Sequence, residues 1–187
     1  MTARGGLADG AIKPLYSAEA IALRVDRLAS DIAARRLDDL MVVAVLKGSF
    51  IFAADLIRAL HRHGLKPEID FVYLASYDGK RVSRGEVRVL RDVESDIKGR
   101  NVVIVDDIFD SGRTLAFAKT LLAEGGARQV LTCVLVDKLV KRASAITPDF
   151  IGFSCPPVFV VGYGMDLHNR YRELPFIGEL TASANRT

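Results

Sequence analysis

No apolar run in the 187-residue sequence approaches the roughly 20 residues of a membrane span, which excludes a spanning helix as a reading. Cysteine is scarce as well. Cys133 and Cys155 both lie in apolar stretches and read as buried free thiols, without the pattern of a disulfide scaffold. Neither sign of charge is in large excess. The 26 Lys and Arg against 23 Asp and Glu leave +3, and the basic residues form no stripe of the kind nucleic acid requires. No nucleic-acid partner is therefore expected, although a small polyanionic substrate would suit that charge. Residues 1–11 are Gly-rich and lack the apolar stretch of a signal peptide, so the cytoplasm is the expected location. The P-loop pattern G-x-x-x-x-G-K-[ST] is missing, and Gly162-Tyr-Gly164 runs on into Met-Asp-Leu, which breaks a dinucleotide fingerprint at its third glycine. No internal repeat is present.

Half of the residues are apolar, ample for the core of a single domain spanning 1–187. The small, polar ends, 1–11 and 181–187, read as frayed. Ser17 predicts an N-cap for a helix reaching about Arg36, with Ile21, Val25, Leu28 and Ile32 on one face. Residues 40–46 are continuously apolar, the mark of a strand buried on both faces of a parallel sheet. A second helix is predicted over about 50–63, broken by Gly64. Further strands are predicted over 69–76, 102–105, 130–136, 150–153 and 158–161. A third helix follows 106–114 and ends near Glu124, stopped by Gly125-Gly126. Residues 77–95, rich in Gly, Arg, Lys, Asp and Ser around the short 87–90 patch, read as a long exposed connection, either a functional lid or a disordered stretch. The alternation of buried strand and helix predicts an α/β fold with a largely parallel sheet.

The chemistry concentrates in residues 106–114. Ligands of open α/β sheets bind beyond the carboxyl ends of the strands, and this segment follows the third predicted central strand. Phospho-acceptor receiver domains also carry acidic pairs, but after their first strand. Asp106, Asp107 and Asp110 place three carboxylates within five residues, where unpaired charge is costly unless it engages hydroxyls, a metal or a reacting base. Ser111, Gly112, Arg113 and Thr114 then open a helix. Its free N–H groups, a glycine that lets the backbone come close, and two hydroxyls suit a phosphate. Carboxylates beside a phosphate cradle suit a sugar phosphate. A loop that merely caps a helix would need only one acid.

The run Val102-Val-Ile-Val-Asp-Asp-Ile-Phe-Asp-Ser-Gly-Arg-Thr114 resembles the phosphoribosyl-pyrophosphate signature of the type I phosphoribosyltransferases. Asp at position 110 resembles the hypoxanthine-guanine members of that family. Other segments agree in order: Leu46-Lys-Gly48 with the pyrophosphate loop, Ser76-Tyr77 with the opening of a mobile lid, Lys138, then Phe150-Ile-Gly-Phe153 through Asp166, and Arg172. The resemblance covers about 14–178. Asp106 departs from it where many members carry Glu, and Arg113 stands at a variable position.

The resemblance implies a largely parallel, twisted sheet flanked by helices, with a small hood from the N- and C-terminal segments and 77–95 as a mobile active-site lid. It implies a Mg²⁺-dependent purine salvage enzyme acting on a purine base and phosphoribosyl pyrophosphate as a homodimer or homotetramer, with no membrane partner. The alternative class is an RNA-binding, nucleotide-responsive regulator on the same fold. Asp106 and Asp107 are implied to hold the ribose hydroxyls directly or through Mg²⁺, with Asp166 a ligand for a second Mg²⁺. Asp110 is implied to handle the proton of purine N7. Lys47, Gly48, Ser111, Gly112, Arg113, Thr114 and Arg172 are implied to bind phosphoribosyl pyrophosphate, with Ser76 and Tyr77 on the lid. Lys138, Phe159, Val160 and Ile108 are implied to bind the purine. The Leu46–Lys47 peptide is implied to be cis.

Overall fold

The computed structural model of the chain describes residues 11–76, 87–140 and 146–181. Its centre is a six-stranded sheet in the order β4-β3-β2-β5-β6-β7. The strands are β2 (Leu40–Leu46), β3 (Glu68–Ser76), β4 (Val87–Arg91), β5 (Asn101–Phe109), β6 (Gln129–Lys138) and β7 (Phe150–Cys155). Five of them run parallel, and β4 pairs antiparallel with β3 at one edge. Two short strands, β1 (Ala11–Tyr16) and β9 (Ile177–Thr181), pair with each other, and β8 (Val160–Val161) joins β9 to complete a separate three-stranded sheet. This second sheet is the small hood.

Alternation along β2 explains the layers. Leu40, Val42 and Ala44 face one way and pack with helices α1 (Ala18–Ala34) and α2 (Phe50–Arg62). Met41, Val43 and Val45 face the other way, against Leu115, Ala118 and Leu122 of α3 (Arg113–Glu124). Helix α1 starts where Ser17 Oγ accepts the Ala20 N–H at 3.2 Å, and it buries Ile21, Val25, Leu28, Ala29 and Ile32 at helical spacing. Helix α2 buries Phe52, Ala53, Leu56, Ala59 and Leu60 in the same way. Cys133 and Cys155 are buried free thiols.

Three expectations are corrected. Ala11 and Thr181, read as frayed, are paired strand ends, and Thr181 Oγ1 donates to the Ala11 carbonyl at 2.8 Å. Their partners lie too far apart in sequence for local pattern to reveal them. Within the expected lid, 87–91 is the edge strand β4, and the N–H groups of Glu94 and Ser95 donate to the Asp70 carboxylate at 2.8 and 2.9 Å. That part is anchored to the sheet, while 77–86, with Tyr77, lies outside the described residues. Finally, β5 does not stop at Val105. Its pairing with β6 continues to Phe109↔Asp137, so Asp106 and Asp107 stand on a strand and not in a turn, with their backbone in the ladder.

Candidate active site

Because β2, β3, β5 and β6 are parallel, their carboxyl ends share one edge of the sheet. Lys47-Gly48 follows β2, Ser76 ends β3, Asp106 to Asp110 close β5, and Lys138 ends β6. The segment 160–172 returns from the hood to the same place.

Glycine makes the centre of the site possible. A Cβ on Gly48 would overlap Oδ2 of Asp107 and lie 2.5 Å from its Cγ. Gly164, at φ +100°, backs onto the carbonyl oxygen of Gly48 just as closely. Arg172 Nη1 donates to the Gly164 carbonyl at 2.5 Å, and Nη2 pairs with Asp166 at 2.6 Å. Asp107, Gly48, Gly164, Arg172 and Asp166 therefore form one contiguous set. Asp166 also accepts the Asn169 N–H at 2.6 Å, so the carboxylate expected to bind a second metal is already engaged on both oxygens. The Leu46–Lys47 peptide is cis. The Lys47 ammonium lies over the Tyr73 ring, 5.6 Å from its centroid.

Asp106 is buried, and its Oδ1 accepts the Asp107 N–H at 3.0 Å. Burial pushes its carboxyl well above the usual range, and the adjacent Asp107 charge pushes it further. Asp107 is raised mainly by burial, while hydrogen bonds and the Arg172 charge oppose that shift. In the folded protein Asp106 thus holds its proton to a higher pH than in the unfolded chain, and stability falls as pH rises through that window. The Asp106→Asn variant keeps the acceptor and loses the charge. Its Tm should match wild type near pH 4 and exceed it increasingly as pH rises through that window, by roughly 2–4 °C per kcal/mol relieved. Thermal melts across that range check this, and a constant offset would refute the cause.

Asp110 is exposed, and Lys138 Nζ donates to its Oδ2 at 3.0 Å. The lysine side chain is only 14 % exposed, so its charge is held beside the acid and not spread into solvent. Ile108 is half-buried on β5 opposite Val136. Phe159 is 48 % exposed, so its ring is not part of the core, and its carbonyl accepts the Leu180 N–H at 2.8 Å. Val160 is buried on β8 opposite Glu179. Gly112 takes φ +78° at the start of α3, whose N-terminus has no side-chain cap and no acid in its first turn. Ser111 and Arg113 are exposed there and Thr114 is half-buried. The Arg113 N–H makes only a long 3.4 Å contact to Ser111 Oγ. An anion would find this helix start open.

The donor set fits a hard cation. Asp106 and Asp107 supply adjacent carboxylate oxygens, but among the described residues no three His, Cys, Asp or Glu side chains converge into a metal site. A cation here would complete its shell with substrate oxygens and water, as Mg²⁺ prefers. The sequence reading gave no role to Asp55 on α2 or to Tyr163, whose hydroxyl donates to it. The glycines on either side of Tyr163 mark its turn, and nothing in the sequence marks Asp55.

A strand-end acid cluster, an uncapped helix start and a lysine–aspartate pair share one sheet edge, an arrangement suited to a sugar phosphate. The phosphoribosyl transferase domain family matches residues 11–168, and the chain belongs to that family. The hypoxanthine-guanine phosphoribosyltransferase of Bacillus subtilis is 38 % identical over 169 residues, 90 % of this chain and 92 % of the relative. The hypoxanthine phosphoribosyltransferase of Escherichia coli K12 is 39 % identical over 163 residues, 86 % and 90 % of the two chains. Among solved structures, a Staphylococcus aureus hypoxanthine phosphoribosyltransferase superposes with TM-score 0.84 at 33 % identity, covering 92 % of each chain. The Trypanosoma cruzi hypoxanthine phosphoribosyltransferase in complex with its product IMP gives 0.86 at 32 % identity, covering 96 % of this chain and 98 % of that one.

Proposed function

We propose that this chain is a purine salvage enzyme that transfers the 5-phosphoribosyl group of phosphoribosyl pyrophosphate to N9 of hypoxanthine or guanine, giving IMP or GMP and pyrophosphate. The observation that carries this reading is the 3.0 Å pairing of Lys138 with Asp110 beside the open start of α3. The free 6-oxopurine that reacts at N9 carries its proton on N7, so it presents an N7–H donor beside the O6 acceptor, whereas adenine replaces O6 with an amino donor. Lys138 offers donors only, so it suits the 6-oxo group, and Asp110 suits a proton at N7.

In the reaction, the C1′–N9 bond forms as the C1′–oxygen bond to pyrophosphate breaks, and the bonding pair leaves with pyrophosphate. The proton lost by the base passes to Asp110. The first turn of α3, with Ser111, Gly112, Arg113 and Thr114, receives the 5′-phosphate. Lys47, Gly48 and Arg172 face the departing pyrophosphate, where negative charge grows. Asp106 and Asp107 hold the ribose hydroxyls and, with substrate oxygens, Mg²⁺. Asp166 serves a second Mg²⁺ only if Arg172 yields. Mg²⁺ when bound neutralises part of the polyanion's charge. Phe159 stacks on the base, Val160 meets its far edge through the backbone, and Ile108 packs at its plane. Ser76 and Tyr77 open the lid that excludes water. The setting is cytoplasmic, as a homodimer or homotetramer. No described helix is long and apolar enough to cross a membrane.

Purified protein with phosphoribosyl pyrophosphate and Mg²⁺ should convert hypoxanthine or guanine and ignore adenine and uracil, read by chromatography. Product from adenine or uracil would overturn the base assignment. No product from any base would overturn the reaction. The relatives carry enzyme names, and no observation favours the RNA-binding alternative. The Lys138→Gln variant can turn an amide donor or acceptor to the base. Its kcat/KM for hypoxanthine should fall by about 10–150-fold, the value of a charged hydrogen bond, and its preference over adenine should narrow. An unchanged ratio of hypoxanthine to adenine would remove Lys138 from base recognition.

A further inference from the structure

Gly162, Tyr163 and Gly164 take φ of +97°, +50° and +100° in succession. Glycine adopts this region freely, but a bulky aromatic does so only where its surroundings hold it. Two backbone bonds contribute. The Tyr163 N–H donates to the Leu174 carbonyl at 2.8 Å, and the Gly164 N–H donates to that of Arg172 at 3.0 Å. The phenol ties the same turn to α2. Its ring is buried, and its hydroxyl donates to Oδ2 of Asp55 at 2.5 Å. The other oxygen of Asp55 pairs with Arg58, which is exposed. Burial, and then the bond to Asp55, push the Tyr163 hydroxyl far up, so it remains a donor.

What the turn touches gives this contact its consequence. Gly164 lies directly against the Gly48 carbonyl, Gly48 lies directly against the Asp107 carboxylate, and the Gly164 carbonyl accepts from Arg172. A shift of the turn therefore displaces the pyrophosphate loop and its arginine together. We propose that Asp55 is a positioning residue. Through the Tyr163 hydroxyl it holds the 162–164 turn against the Lys47-Gly48 loop and so sets the seat of phosphoribosyl pyrophosphate. This rests on the phosphoribosyl-transfer reading and extends it to a residue that touches no substrate.

The test uses Tyr163→Phe and Asp55→Ala, singly and combined, with Arg58→Gln as a control. Steady-state kinetics, calorimetric binding of phosphoribosyl pyrophosphate with Mg²⁺, and Tm are measured on each. Each single variant should raise KM and Kd for phosphoribosyl pyrophosphate about tenfold, as expected for a lost hydrogen bond to a charged group. Turnover at saturation should change far less. The combined variant should be no worse than either single one, because both remove the same bond. Arg58→Gln should match wild type, since an exposed pair contributes little. Constants for both singles within about twofold of wild type would overturn the proposal, being well short of one lost bond. So would losses that add in the combined variant, or losses that merely follow Tm. If wild type itself fails to bind phosphoribosyl pyrophosphate, the function and this proposal fall together. Normal wild-type binding with unchanged variants removes the positioning role alone.

Discussion

The Asp110→Asn variant is expected to lower kcat by about 10²–10⁴-fold, the usual contribution of a positioned general base. The geometry makes this substitution clean. The Asp110 side chain is 54 % exposed, so its shape is not part of the packing, and asparagine can still accept from Lys138 at the observed 3.0 Å. It cannot take a proton. The phosphate-binding elements, the start of α3 and the Lys47-Gly48 loop, are left intact. KM for phosphoribosyl pyrophosphate should therefore move by less than about tenfold, which is the signature of an interaction made chiefly in the transition state. Steady-state kinetics with hypoxanthine separate the two constants. Equal losses in turnover and in phosphoribosyl pyrophosphate affinity would remove the proton-transfer role and leave Asp110 as a binding group.

Asp110 also illustrates which parts of the site can be read from sequence. It belongs to a contiguous run, 106–114, in which strand end, acids and helix start follow one another, so local chemistry already points to a sugar phosphate. Lys138 is different. Taken alone it resembles a surface lysine, and only the family resemblance picked it out. The fold supplies the physical reason: β5 and β6 are parallel neighbours in register, Phe109 opposite Asp137, so the residues just beyond that pair meet across the sheet edge. Asp55 and Tyr163 are 108 positions apart, and Asp55 reads simply as the polar side of an amphipathic helix. Nothing local could have joined them.

The same contrast holds for the scaffold. The continuous apolar run of β2 and the helical spacing in α1 and α2 declare themselves, because burial on both faces or on one stripe leaves a periodic trace. Strands β1 and β9 leave almost none. They are five or six residues long, half exposed, and joined by pairings such as Ala11↔Thr181. The extension of β5 through Asp106 and Asp107 was hidden for another reason. Two adjacent acids argue against a strand on propensity, yet the ladder to β6 and the chemistry at its end override that preference.

Two glycines of the site should fail in opposite ways when given a methyl group. In the Gly48→Ala variant the new Cβ meets a side chain, the Asp107 carboxylate, which can swing aside. Folding then survives with a modest change in Tm, but the carboxylate leaves the place from which it would engage the ribose. A displacement of about 1 Å at a reacting site can cost on the order of 10²-fold, so kcat/KM should fall by about that factor. In the Gly164→Ala variant the new Cβ meets backbone, the Gly48 carbonyl, and the residue sits at φ +100°. Neither can relax cheaply. Overpacking and the unfavourable backbone together should cost about 2–5 kcal/mol. At roughly 2–4 °C per kcal/mol for a chain of this size, that is a fall in Tm of about 4–20 °C. Thermal melts and kinetics on both variants decide the matter. If Gly48→Ala lost stability and Gly164→Ala lost only activity, the contact between the Lys47-Gly48 loop and Asp107 would not be what holds the ribose-binding carboxylate in place.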